Sequence, residues 1–517
     1  MITLGAVRVG ARRRPGRPPV LLLLAAGATV AVTLLPLIYL AQRAFERGLG
    51  FAAEELTRPS TAALVGRSLL LVAVVTAACV VLGVGFAVLL SRTDLPGGRW
   101  WAVGLTLPLA MPSYLLAFLW VSMFPALHGF WGAALVLTLV SYPFVFLTTT
   151  AALARVDPAH EEVARSLGLG SVAVLFRVTL RQVRTAIAAG ALLVALYVLS
   201  DFGAVAAMRY EVFTWVIYGA YRSGFNPSRA AILSLVLLVF AVTLVIAERW
   251  ARGLAASRLG SGSPRPQVRA RLGRWRYAAA APGMVMLVLA VVIPSIALAD
   301  WMIAGGLRWD AERWSSALSA TVWLSVMAAV VCTAAALPLG LLSARYPTPA
   351  SRLLESASYV AHGLPSIVVA ISMVSVGVLL LLPIYQREPL LILAYVVLFV
   401  PLAVGSIRTA IETSPPRLDE VAQSLGRSPI RVFFTVTGRA AAPGIASAAA
   451  LVLLTCMKEL PVTLLLRPTG VDTLATRLWG YSSVSDYAAA APYAAALLVF
   501  AAVPTAVLGM AVRTVDV

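Results

Sequence analysis

Twelve apolar runs follow one another along this chain, separated mostly by short polar loops. They cover residues 20–41, 68–90, 101–124, 131–153, 186–208 and 230–246 in the first half. In the second half they cover 277–299, 318–342, 359–382, 390–410, 441–466 and 488–512. A helix needs about 20 apolar residues to cross a bilayer, so nearly every run is long enough to span one. The 517 residues are 60% hydrophobic and 12% charged, against about 25% charged in soluble domains. The pattern excludes a soluble globular protein and predicts an all-α polytopic membrane protein with about 12 transmembrane helices. Little sequence is left for a soluble domain.

The net charge of +19 raises nucleic acid as a partner, but the placement of the arginines argues against it. Arg8, Arg12, Arg13, Arg14 and Arg17 precede the first apolar run, and eight more arginines lie from Arg249 to Arg276. Both groups adjoin membrane-length segments, which is the positive-inside pattern. The expected partner of these charges is the lipid bilayer, with the N-terminus, the 250–276 stretch and the C-terminus all cytoplasmic. The loops at 154–185 and 411–440 then fall on the same side, after four and ten crossings, and both are rich in arginine. The first run is longer than a signal-peptide core and lacks a clear cleavage site, so it reads as a retained helix. Cys79, Cys332 and Cys456 all lie in apolar runs without CxxC spacing, and His128, His160 and His362 are dispersed. Neither set predicts a disulfide framework or a metal site.

The chain repeats itself. Glu162-Val163-Ala164-Arg165-Ser166-Leu167-Gly168 recurs 258 residues later as Glu420-Val421-Ala422-Gln423-Ser424-Leu425-Gly426. Pro143 with Pro401, Asp201 with Glu459, and Arg209 with Arg467 keep that offset. Upstream, Arg92 pairs with Arg345 and Pro112-Ser113 with Pro365-Ser366 at 253 residues. The arrangement predicts a six-helix unit over 1–249, a basic linker over 250–276 and a second unit over 277–517. Six crossings separate the repeated motifs, so the two units should be parallel, with a pathway expected at their interface.

Each long loop reads as two short helices. Asp157 is suited to cap the first, with Pro158 at its first position and Glu161 and Glu162 in the opening turns, where the helix dipole favours acids. Gly168 is suited to close it. A second helix comes next, capped by Ser171 in the first repeat and by Ser428 with Pro429 in the second. A connector of about 30 residues is long for a compact protein, and two copies at matched positions suggest that something docks on both.

Glu-x-Ala-x-x-x-Gly in a loop before the penultimate helix of a six-helix unit resembles the EAA loop of binding-protein-dependent ABC importer permeases. The resemblance covers nearly the whole chain as two fused units of the type I, MetI-like kind. It implies that Glu162, Ala164 and Gly168, and Glu420, Ala422 and Gly426, belong to coupling loops that dock on a cytoplasmic ATPase dimer. It also implies an extracytoplasmic solute-binding protein as partner and the bacterial inner membrane as location. The family's fuller pattern continues with Ile-x-Leu-Pro, whereas this chain reads Val178-Thr179-Leu180-Arg181 and Val436-Thr437-Gly438-Arg439. A P-loop needs a lysine after its last glycine, and the only lysine here is Lys458, followed by Glu459. ATP is therefore expected to be used by a separate subunit, with no cofactor and no catalytic residue in this chain.

Ionisable groups inside apolar runs are functional candidates. Asp201, followed by Phe202-Gly203, and Lys458-Glu459-Leu460-Pro461 occupy matching places about two thirds along their runs. Gly203 and Pro461 should kink or break the helix there. Asp201, Lys458, Glu459 and Pro461 are thus candidates for lining a translocation path, with the acids as transient cation contacts, since hard cations favour oxygen ligands. The alternative is that the acids neutralise Lys458, Arg209 and Arg467. Lys458-Glu459-Leu460-Pro461 with the following Thr463 to Gly470 resembles the second half of ferric-iron permeases, which implies ferric iron as cargo. Thiamine and other small-solute permeases share the fused architecture. An ion-coupled secondary transporter and a polytopic membrane enzyme are further alternatives, the latter lacking any cluster of catalytic groups.

Overall fold

A computed structural model of the protein describes residues 18–222, 226–258, 270–304 and 310–511. The arginines from Arg8 to Arg17 and residues 259–269 of the linker lie outside the described residues. Among those described, the chain is almost wholly helical, and its one β pairing is an isolated bridge between Thr93 and Ala270. Nine of the described helices are long and apolar enough to cross a membrane. They are Val20–Phe45, Pro59–Arg92, Phe130–Leu153, Ser171–Ser200, Pro227–Ala247, Gly273–Ile303, Ala311–Arg345, Glu388–Glu412 and Phe433–Met457. A bent pair, Gly98–Ala110 with Ser113–Met123, and two shorter apolar helices, Ser366–Leu379 and Tyr487–Ala502, complete the set. An apolar helical segment thus stands at each of the twelve expected places, and the chain is an all-α polytopic membrane protein.

The third and fifth segments of each half depart from straight spans. The first of these turns by 90° between Ala110 and Ser113. Pro112 explains the break: it lacks an N–H and disfavours helical geometry in the residue before it, and Met111 is extended at φ −73°, ψ 128°. Pro365 occupies the same position ahead of Ser366–Leu379. The fifth segments begin earlier than hydropathy indicates, at Ser171 and near Phe433, and end at Ser200 and Met457. The apolar tails beyond those ends, to Met208 and Leu466, are separate short helices, Gly203–Ala207 and Pro461–Leu466.

The described chain forms two compact units, each drawing on both halves of the sequence. The first comprises residues 18–35, 326–362 and 395–453. Leu339, Leu342, Val404, Ile407 and Ile411 are buried in it. Its helices approach closely at small residues: a Cβ on Gly340 would lie 2.7 Å from Ile407, and one on Gly444 would lie 2.2 Å from Ala410. Such contacts are how membrane helices associate when burial of apolar surface gives little driving force. The second unit comprises residues 36–325, 363–394 and 454–511. Its core includes Leu71, Val75, Phe86, Leu115, Tyr142 and Phe146, with Phe86 edge-on to Tyr142 at 5.7 Å between centroids. Glu55 is fully buried there and is held by Arg58 and Arg229, each at 2.7 Å.

Candidate functional site

The first Glu-x-Ala loop folds as its sequence directs. Asp157 accepts a hydrogen bond from the Ala159 N–H at 3.0 Å and caps the helix Pro158–Ser166. Gly168 ends it at φ +84°, a conformation that side chains rarely adopt. The second loop repeats the design, with Pro415 before the helix Pro416–Ser424 and Gly426 at φ +79°. Beyond these glycines a second helix follows in each repeat, as expected, but it is not a short one. The expected cap Ser171 is already the first helical residue, after Gly170, and makes no side-chain cap. From there the helix passes through a π turn, Leu175–Thr179, and continues into Leu180–Ser200. The second repeat does the same through Phe433–Thr437, after Ser428 accepts from the Arg431 N–H. Arg181 and Arg439 stand where the family pattern has proline, so nothing stops either helix.

The two faces of each loop helix divide sharply. Ala164 and Ala422 are buried, whereas the motif acids Glu162 and Glu420 are exposed. Also exposed are Val163 and Leu167, at 58% and 78%, and their repeat mates Val421 and Leu425, at 58% and 76%. The acid on the inner face is the one before the motif glutamate. Glu161 lies 2.9 Å from Arg92 and 3.3 Å from Arg165 and accepts from the Thr179 hydroxyl at 2.9 Å. Asp419 lies 3.0 Å from Arg345 and accepts from the Thr437 hydroxyl at 2.6 Å. In the sequence alone, Arg92 and Arg345 serve only to fix the register. The signal for their role is present in the paired Glu161/Asp419 and Thr179/Thr437 at the 258-residue offset.

Asp201 and Glu459 sit at the breaks of the fifth segments, not inside helices. Asp201 is extended, at φ −67°, ψ 130°, and its carboxylate accepts from the N–H groups of Ala204 and Val205 at 2.9 and 3.4 Å. It also accepts the hydroxyl proton of Ser113, the residue that opens the helix after Pro112. Glu459 accepts from the Val462 N–H at 3.2 Å, and Ser366, the repeat mate of Ser113, opens the helix after Pro365. In the first half the two broken segments are therefore joined by an acid–serine hydrogen bond. Gly203 lets the Asp201 break approach Tyr114, where an added Cβ would stand 2.6 Å from the Tyr114 Cβ. Pro461, its repeat mate, opens the following short helix.

Among the described residues neither acid is within ion-pair distance of a base. Among the described residues Arg209 and Lys458 form no ion pair, and Arg467 pairs with Asp472, which Arg477 also reaches at 2.6 Å. Beside Asp201, Phe202 contacts Trp479 at 5.6 Å between centroids, and Trp479 is edge-on to Phe118 at 5.4 Å and to Tyr114 at 6.5 Å. A second-half tryptophan thus packs onto the broken third segment of the first half. Asp201, Lys458, Glu459 and Pro461 all lie at the segment breaks, and the loop residues lie elsewhere along the chain as two matched sets.

Comparison with known proteins agrees with this duplication. The sequence profile of the family described as "Binding-protein-dependent transport system inner membrane component" matches residues 79–258 and again 336–516. The Fe(3+)-transport system permease protein FbpB 2 of Haemophilus influenzae is 35% identical over 502 residues, covering 96% of this chain and 99% of that protein. The sulfate transport system permease protein CysT of Escherichia coli is 27% identical, over 40% of this chain and 82% of its own length. The molybdate/tungstate transport system permease protein WtpB of Pyrococcus furiosus is 24% identical, over 34% and 71%. With two family matches that together span most of its length, this chain belongs to the binding-protein-dependent transport system inner membrane components.

Proposed function

We propose that the chain is the fused permease of an ABC importer that moves ferric iron into the cytoplasm. The observation that carries this reading is the likeness to the Haemophilus influenzae Fe(3+) permease, which extends over nearly the full length of both chains. Residues 1–249 and 277–517 act as two six-helix repeats and 250–276 as a cytoplasmic linker. The exposed faces of Pro158–Ser166 and Pro416–Ser424 dock on a cytoplasmic ATPase dimer, in loops defined by Glu162, Ala164, Gly168, Glu420, Ala422 and Gly426. ATP is bound and hydrolysed there, and this chain needs no cofactor. A solute-binding protein delivers the cargo from outside the inner membrane.

Asp201, Lys458, Glu459 and Pro461 flank the path. A carboxylate has about four acceptor positions. Three protein donors reach Asp201, which leaves it able to make a passing contact with a hard cation. Uptake of radioactive ferric iron in a strain lacking this gene, with and without the gene restored, tests the assignment. Restored uptake that excess thiamine, sulfate or molybdate fails to reduce supports it. Restored uptake of one of those solutes instead would overturn the substrate.

A further inference from the structure

We infer that Arg92 with Glu161 and Thr179, and Arg345 with Asp419 and Thr437, are tethers that transmit movement of the docking loops to the second membrane helix of each repeat. The inference rests on the docking role proposed above, and goes beyond it by naming the groups that link loop to membrane. The loop at 154–185 is joined by the chain only to the helices before and after it, Phe130–Leu153 and Ser171–Ser200. Arg92, by contrast, is the last residue of Pro59–Arg92, and Arg345 is the last residue of Ala311–Arg345. The ion pairs therefore add a third helix to each loop. In the second repeat Arg345 also donates to the Ser414 carbonyl at 3.0 Å, at the foot of the loop helix.

Three features suit this link to carrying force. The pairs are shielded, with side-chain exposures of 11% for Arg92 and 7% for Glu161, and of 11% for Arg345 and 16% for Asp419. Water and salt weaken them far less than they weaken surface pairs. Each acid is also held by a threonine at the end of a π turn, a helix irregularity often found at functional positions. Loop helix, second span and fifth span therefore meet at a single carboxylate. Finally, the three groups recur in both repeats with an acid of either length, Glu161 in one and Asp419 in the other. The charge and its partners are kept, while the carbon skeleton is not.

The test uses the full permease with its ATPase in liposomes supplied with iron-loaded binding protein. Membrane-inserted permease, bound ATPase, ATP hydrolysis and iron uptake are measured together. Glu161→Gln and Asp419→Asn should keep the ATPase bound and hydrolysing while iron moved per ATP falls about tenfold, a coupling loss of the usual size. Glu161→Asp, which copies the second repeat, should keep the wild-type ratio. Where Glu161→Gln fails to accumulate, Thr179→Val removes one hydroxyl only and should lower the ratio more mildly. An unchanged ratio in both the amide and threonine variants, a parallel fall of hydrolysis and uptake, or failure of Glu161→Asp to preserve coupling would overturn the tether. Uptake by the wild-type protein that needs no ATPase would instead overturn the importer reading on which the inference rests.

Discussion

Asp201 accepts the hydroxyl proton of Ser113, 88 residues earlier in the chain, and so fastens the break in the fifth membrane segment to the break in the third. In the second half Glu459 and Ser366 stand at the matching places. A proline precedes each serine, and a short helix capped by the acid's own side chain follows each acid. Proline, serine, acid and short helix thus stand in the same order in both halves of one duplicated sequence.

Removing the serine hydroxyl leaves a buried carboxylate short of one donor, a loss of about 1.5–3 kcal/mol for a hydrogen bond to a charged group. Ser113→Ala should therefore lower thermal stability in detergent measurably. Asp201→Asn and Glu459→Gln keep the volume and the capping oxygen, so membrane-inserted protein should be near normal while iron uptake falls, further in the double variant. Normal protein with normal uptake in both amide variants would remove the acids from the path. Loss of the protein itself would assign them to folding alone.

Gly168 and Gly426 hold φ values of +84° and +79°, with open space where a side chain would stand. Backbone strain of about 1–3 kcal/mol, rather than a clash, is the expected cost of a larger residue. Asparagine and aspartate tolerate this region better than β-branched residues. Gly168→Asn should be mild, Gly168→Asp intermediate and Gly168→Val worst, with bound ATPase and uptake falling in that order at equal permease levels. Equal behaviour of all three would contradict a turn-based role.

If the loop helices dock on the ATPase, the exposed pairs Val163 with Leu167 and Val421 with Leu425 should form the contact surface. Replacing either pair by serine removes apolar area worth roughly 25 cal/mol per Å² at an interface and disturbs nothing buried. ATPase recovered with the purified permease should drop for each double variant, while membrane insertion holds. Undiminished recovery would place the docking surface elsewhere.

Cysteines introduced singly at 44–60 or 467–487 should react with a membrane-impermeant reagent added outside, and cysteines at 250–276 only from the cytoplasmic side. Cys79, Cys332 and Cys456 are all buried, so background labelling should be low. Outside labelling of the linker would invert the topology and move both docking loops to the wrong face.

Hydropathy and charge placement were enough to locate all twelve segments, because crossing a bilayer demands a continuous apolar length whatever the packing. Duplication was equally legible, since residues at 258-residue spacing need no structure to be compared. Segment ends were not. Gly203 and Pro461 signal the breaks, but apolar residues continue past Ser200 through Met208, and where the helix ends depends on the hydrogen bonds that Asp201 accepts from Ala204 and Ser113. Glu161 is hidden in the sequence because Glu162 matches the family motif, and which of two adjacent acids faces inward depends on helix phase. Trp479 is hidden for another reason: its neighbours Phe118 and Phe202 lie in the other half of the sequence, and hydropathy carries no information on such pairings.

Transport of ferric iron by this chain should occur only when an ATPase drives it. Liposomes containing the purified permease and its ATPase, loaded with ATP inside and given iron-charged binding protein outside, measure this directly. The predicted result is iron accumulation that stops when ATP, the ATPase or the binding protein is withheld. Accumulation driven by an ion gradient in the absence of ATP and ATPase would contradict it.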